Sequence, residues 1–120
     1  YCGMAMGFDL LAAEAALSLQ IELPDLWVIA VIPYRNQTER WSEAMKIKYD
    51  TILHVVDDVV ILNEHYYKGC LLHRNDYMVN HSSYLIAWYD GKPKGGTYYT
   101  CRKARANGLK VTNLYNNSSV

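Results

Sequence analysis

Two short stretches hold the residues whose backbone can approach an anion most closely. Gly3-Met4-Ala5-Met6-Gly7-Phe8-Asp9 places two glycines four residues apart ahead of an alanine-rich run, and Asp90-Gly91-Lys92-Pro93-Lys94-Gly95-Gly96-Thr97 places three glycines and two lysines ahead of a second helical pattern. Glycine has no Cβ and reaches positive φ without penalty, so a loop of this kind lets main-chain N–H groups close on a phosphate. A helix that follows such a loop adds its own free N–H groups and the positive end of its dipole. Ordinary turn chemistry uses the same positions, and Asp9 and Thr97 each stand where an N-cap would. Other reactive side chains are scattered. Cys70-x-x-His73 is the only close Cys/His pair and has no second pair to complete a zinc site, so no metal is expected. Cys101 has no histidine at a spacing that supports a thiol nucleophile. Asp57-Asp58 reads as a turn before a strand, and Glu14 as part of a solvated helix face. Tyr66-Tyr67 and Tyr98-Tyr99 offer either a stacking surface or structural packing.

These loops need elements to hold them. Leu10, Ala13, Leu17 and Ile21 recur at helical spacing, which predicts a helix from Asp9 to about Leu23, ended by Pro24-Asp25. The apolar run Leu26 to Ile32, stopped by Pro33, predicts a strand covered on both faces. A helix follows from Ser42, its N-cap, to about Val55, and then a short strand over Asp58 to Leu62. Leu71 to Asn80 predicts a helix, Tyr84 to Tyr89 a strand, Thr97 to Asn107 a helix stopped by Gly108, and Lys110 to Tyr115 a last strand. This alternation specifies a parallel α/β sheet, in which ligands bind at the carboxyl ends of the strands. The expected architecture is α/β, a Rossmann-like three-layer sandwich with a mostly parallel sheet. A single domain is expected over residues 1–115, with a frayed tail at 116–120.

Composition narrows the function classes. A chain of 120 residues holds one domain, and its 12 Lys and Arg balance its 12 Asp and Glu. With no net field, nucleic acid is disfavoured as the main partner. Three cysteines without close pairing fit a reduced cytoplasmic setting, and no apolar run is long enough to span a bilayer.

The stretches GMAMGFDLLAAEAAL, LWVIAVIPYRNQTERWSEAMKIKYDTIL and HRNDYMVNHSSYLIAWYDGKPKGGTYYTCRKARANG together resemble the YpsA-like branch of the SLOG superfamily, related to the LOG and DprA/Smf proteins. The resemblance covers nearly the whole chain. It implies a Rossmann-like domain that binds a nucleotide or nucleotide-derived ligand, with no established reaction for this branch; the residues name no cofactor besides such a ligand. Gly3, Gly7 and Asp9 resemble the first glycine motif of the family and would line the phosphate side. Gly95, Gly96 and Thr97 resemble the second, offering backbone N–H groups and a hydroxyl. Pro33, Tyr34 and Gln37 match an IPY…Q signature in which Tyr34 would pack on a base or ribose, or stand as a half-buried surface tyrosine. Arg74 and Asn75 match a motif on a short helix facing the cleft, with Arg74 suited to a forked pair of bonds to phosphate.

The resemblance also supplies an enzyme alternative. The LOG relatives are phosphoribohydrolases, similar here in Arg74 followed by Met78 and in the Gly-Gly…Thr loop, but the glutamate they need falls at Thr100, which cannot act as a carboxylate base. A third reading is an interaction protein with a vestigial pocket. Family members begin with a strand bearing a Thr-Gly-His-Arg-like motif, a helix and a further strand, so a segment ahead of Tyr1 is expected. Its loss would uncover apolar sheet around Trp27 to Ile32 or Tyr84 to Trp88, from which at least a homodimer with tyrosine and Leu/Ile contacts is expected.

Overall fold

The computed structural model describes residues 1–115; the expected tail at 116–120 lies outside the described residues. The described residues form two compact units, Tyr1–Cys70 and the chain from Leu71 onward. Each contains a parallel strand-helix-strand crossover, so the α/β, Rossmann-like class expected from the alternation is what the chain adopts.

In the first unit, α1 (Phe8–Leu19) is followed by β1 (Ile29–Ile32), α2 (Glu43–Val55) and β2 (Asp58–Ile61). β1 and β2 pair in parallel, with Ala30 opposite Val59 and Ile32 opposite Ile61. Leu10 and Ala13 of α1, Ala30 and Ile32 of β1, and Tyr49 and Ile52 of α2 share one buried cluster, and the Trp41 ring meets Tyr49 edge-on at 5.5 Å. Cys2 forms a parallel bridge to Ala30, so the chain leaves it toward the same sheet edge as the end of β1.

α1 and β1 are several residues shorter than the periodicity predicts. α1 ends at Leu19 rather than near Leu23 because its next apolar position, Ile21, has no core to enter and is 88 % exposed. The strand expected from Leu26 begins only at Ile29. Leu26 is held in a turn by its N–H bond to the Leu23 carbonyl, and the Val28 N–H donates to Asp57 Oδ2 at 2.7 Å instead of to a neighbouring strand. The same Oδ2 accepts from Gln20 Nε2 at 2.6 Å, so Asp57 ties the end of α1 to the start of both strands.

In the second unit, α3 (Cys70–Asn80, its first residue belonging to the unit before) precedes β3 (Tyr84–Ala87), α4 (Gly96–Ala106) and β4 (Lys110–Asn113). β3 and β4 pair in parallel, with Tyr84 opposite Lys110 and Ala87 opposite Asn113. α4 packs on both strands through a face that buries Cys101 and Ala104. It ends in a Schellman motif: Gly108, at φ +81, donates to the Arg105 carbonyl and Leu109 to that of Ala104. β3 stops at Ala87 rather than Tyr89 because a side chain, not a strand, takes the next peptide: Asn113 receives the Tyr89 N–H on Oδ1 at 3.0 Å and donates from Nδ2 to its carbonyl at 2.8 Å. Tyr84 and Ile86, on one face of β3, stay 71 % and 61 % exposed. No helix of the described residues is long and apolar enough to cross a membrane.

Candidate functional site

The expected site residues fall into two groups, one in each unit. In the first unit the carboxyl edge of β1 and β2 gathers the loop over residues 3–7, the turn after Pro33 and the stretch from Asn63. Gly3 and Met4 are buried, and Met4 adopts φ 60, a left-handed conformation that costs a non-glycine residue about 1–2 kcal/mol. Three contacts hold it there. The Met4 side chain is fully buried, its carbonyl accepts from Gln37 Nε2 at 3.4 Å, and the next N–H, that of Ala5, donates to Asp9 Oδ2 at 3.2 Å. Asp9 therefore is not the N-cap of α1. That place belongs to Gly7, at φ 86 and ψ −125, with no side-chain cap, while Asp9 reaches backward to fasten the loop.

Gln37 Nε2 also lies 3.5 Å from the Tyr49 hydroxyl, and burial pushes the Tyr49 phenol up against a smaller lowering by that bond. Pro33 is buried and its carbonyl accepts from Asn63 Nδ2 at 3.5 Å. The Tyr34 ring meets Tyr66 edge-on at 5.4 Å. Beside it, Arg35 makes a bidentate pair with Glu64, both bonds at 2.8 Å, and the bond from Arg35 holds the Glu64 carboxyl below its ordinary value.

In the second unit the loop from Asp90 to Gly95 crosses the carboxyl end of β3. It is ordered by its own bonds: Asp90 Oδ1 accepts from the Lys92 N–H at 3.0 Å, and the Lys92 carbonyl accepts from the Lys94 N–H at 2.8 Å and the Tyr89 hydroxyl at 2.7 Å. Partial burial, followed by the neighbouring Tyr98 and Asp90, raises the Tyr89 phenol above its ordinary value, so it keeps the proton it donates. Gly95, at φ +94 and ψ 175, is the N-cap of α4 and provides no side-chain cap. That conformation is essentially confined to glycine. Thr97 stands inside the first turn, not at the cap as its residue type suggests.

A pocket of about 340 Å³ opens over this turn, lined by Trp88, Tyr89, Asp90, Lys94, Gly95, Gly96, Thr97 and Tyr115. Trp88 and Tyr115 meet edge-on at 5.2 Å. Asn75, one of the residues expected at the site, lies close by: its Nδ2 is 3.8 Å from where a Cβ on Gly96 would stand. Arg74 is 5 % exposed and donates from Nε to Asn75 Oδ1 at 2.8 Å, a bond that orients the Asn75 amide. Thr100, where the hydrolase alternative needs a glutamate, donates its hydroxyl to the Gly96 carbonyl at 2.8 Å.

The residues that sequence reading passed over are the aromatic and basic walls, Trp88, Tyr89, Lys94 and Tyr115, together with Asn113, which clamps Tyr89 and also accepts the Tyr115 N–H at 3.1 Å. The signal for them was present in part, since the glycine loop directly follows Trp88-Tyr89. Tyr115 and Asn113 are brought there only by the pairing of β4 with β3. Burial raises the Cys2 and Cys101 thiols above their ordinary value, which leaves little thiolate at neutral pH. Among the described residues no group of three or more His, Cys, Asp and Glu is placed to hold a metal ion.

Known proteins share this chain's pattern. The family model described as the YspA SLOG family matches residues 2–117. The UPF0398 protein YpsA of Bacillus subtilis (strain 168) is 33% identical over 96 residues, which cover 78% of this chain and 53% of that protein. A UPF0398 protein of Bacillus licheniformis is 30% identical over 102 residues, covering 83% and 56%. Another, from Bacillus cereus (strain B4264), is 30% identical over 105 residues, covering 86% and 57%. The chain spans about half the length of these relatives.

Proposed function

This chain belongs to the YspA SLOG family, and we propose that its role there is to bind a nucleotide or nucleotide-derived ligand, of the ADP-ribose or nucleotide-sugar kind, in the cytoplasm. One observation carries the reading. The pocket at the end of β3 joins an uncapped helix N-terminus and Lys94, which suit an anion, to the Trp88, Tyr89 and Tyr115 rings, which suit a flat base or sugar. In the contrasting case of α2, the Ser42 hydroxyl accepts the Met45 N–H at 3.3 Å, which is what a helix start looks like when its own side chain serves it. Gly95, Gly96 and Thr97 contact the phosphate, and Asn75, set by Arg74, borders it. In the first unit Gly3 and Gly7 form a second uncapped turn, with Asp9, Pro33, Tyr34 and Gln37 shaping the loops around it.

Calorimetry against a panel of nucleoside mono- and diphosphates, ADP-ribose and nucleotide sugars tests this. Binding by at least one member is expected, and none at millimolar concentration would overturn the reading. Gly96→Val removes binding and keeps the fold, because the added Cβ meets only the Asn75 amide at ordinary contact distance. The hydrolase alternative predicts release of free base from nucleoside monophosphates. With Thr100 bonded to the helix backbone and no glutamate at that position, unchanged substrate is expected.

Self-association is part of the same proposal. Tyr84 and Ile86 present an apolar sheet face of the kind that a second copy buries. Light scattering at micromolar concentration is expected to give a dimer or higher, and Ile86→Lys to give a monomer.

A further inference from the structure

The even charge of the whole chain conceals a division. Tyr1–Cys70 carries five Lys and Arg against ten Asp and Glu, whereas from Leu71 onward there are seven Lys and Arg against two Asp. Of those two, Asp76 is paired with Lys103 at 2.9 Å, and Asp90 is turned to the Lys92 N–H. The second unit is therefore strongly electropositive on its own, and Lys92, Lys94, Arg102, Arg105 and Lys110 are all exposed.

Its aromatic rings are ordered with these charges. Tyr89, a wall of the pocket, has its ring 6.2 Å from that of Tyr98. Over Tyr98, with its Cζ 5.5 Å from the ring centroid, lies the Arg102 guanidinium, which also donates from Nη1 to the Tyr98 hydroxyl at 3.1 Å. The guanidinium is thus held at the Tyr98 ring by two contacts, and Arg102 is exposed. The pocket itself, at about 340 Å³, is near the small end of the ~300–1,000 Å³ typical of small-molecule sites. It has room for one nucleotide-sized group, and the strip of Tyr98 and Arg102 continues past its rim.

From this we propose that the ligand is a dinucleotide: two flat rings joined through phosphate. One ring sits in the pocket among Trp88, Tyr89 and Tyr115, the bridging phosphate lies at the start of α4 beside Lys94, and the second ring stacks on the outer face of Arg102. The inference rests on the nucleotide-binding reading of the same pocket and adds the second ring to it. Both a pyrophosphate-linked dinucleotide and a 3′–5′-linked one present this chemistry.

Calorimetry with AMP, diadenosine pyrophosphate, the 3′–5′ dinucleotide pApA and an adenylate octamer tests it, in the native sequence and in Arg102→Ala and Arg102→Lys. At least one dinucleotide is expected to bind about tenfold or more tightly than AMP, and the octamer no more tightly than pApA beyond its greater number of equivalent positions. Which dinucleotide binds identifies the linkage. Arg102→Ala is expected to remove that tenfold advantage and leave AMP affinity unchanged, because Arg102 lies outside the pocket. Arg102→Lys keeps the charge but not the planar face, and is expected to recover little of the tenfold advantage. Dinucleotides binding no better than AMP, or an advantage that survives Arg102→Ala, would overturn the second-ring inference and leave the nucleotide pocket standing. Failure of every compound to bind would overturn both. Circular dichroism of each variant against the native sequence separates loss of binding from loss of fold.

Discussion

Gly95 and Tyr49 show how a single residue's conformation or proton sets a measurable property. Gly95 holds φ +94 and ψ 175 with open space around the missing Cβ. Gly95→Ala is therefore penalised by backbone strain, about 1–3 kcal/mol, and not by a clash. Urea unfolding should show a lower midpoint with an unchanged slope, and the altered loop should weaken ligand binding as well. Gly96→Val should do the opposite, sparing stability and removing binding. Tyr49 reports through pH. Burial raises its phenol above the ordinary value of 10.0, so from that pH upward the unfolded chain gives up the proton before the folded protein does. The folded state then binds more protons, and stability must fall as pH rises through this range. Tyr49→Phe removes this contribution, and thermal melts between pH 9 and 11 should show a flatter decline than in the native sequence. The glycine loops stood out because glycine ahead of a helical pattern punctuates it, and Arg74 and Asn75 stood out through the resemblance of their stretch to the family. The role of Asp9 was not legible, because an aspartate at a helix start caps it or fastens the preceding loop depending on a φ angle several residues away.

The helices of the described residues begin and end for reasons that can be tested separately. α2 rests on the Ser42 cap, and Ser42→Ala should lower stability by about 1 kcal/mol, read from the urea midpoint. α4 depends on its other end. Gly108→Ala places a Cβ at φ +81 within the Schellman turn, so a loss of about 1 kcal/mol is expected with no effect on ligand binding. Element type and order were readable throughout, because alternating strand and helix patterns with glycine and proline stops leave little choice. Element length was readable only where a terminator stood in the sequence, as at Gly108. At the ends of β1 and β3 the side chains of Asp57 and Asn113 take peptide groups that would otherwise extend the ladder, and nothing in the local pattern marks those residues as competitors.

At the scale of the whole molecule, the formal charge of zero is the sum of an acidic first unit and a basic second one. From Leu71 onward the excess of Lys and Arg accompanies the aromatic pocket, so an anion would meet a favourable field there despite overall neutrality. Adding salt should therefore weaken binding of the nucleotide that the panel identifies, by several-fold between 50 and 200 mM in calorimetry, because exposed cations such as Lys94 act through a screened field. The sequence by itself determined the α/β class and the parallel pairing of successive strands, which are written in local spacing, and the family, which is written in the stretches that resemble it. The tertiary structure decided which side chains wall the pocket, that Arg74 is buried and bonded to Asn75, and that Asn113 and Tyr115 return to Tyr89. The last of these follows from the register of β4 against β3, and register is set by packing between segments far apart in the chain, which no local pattern encodes.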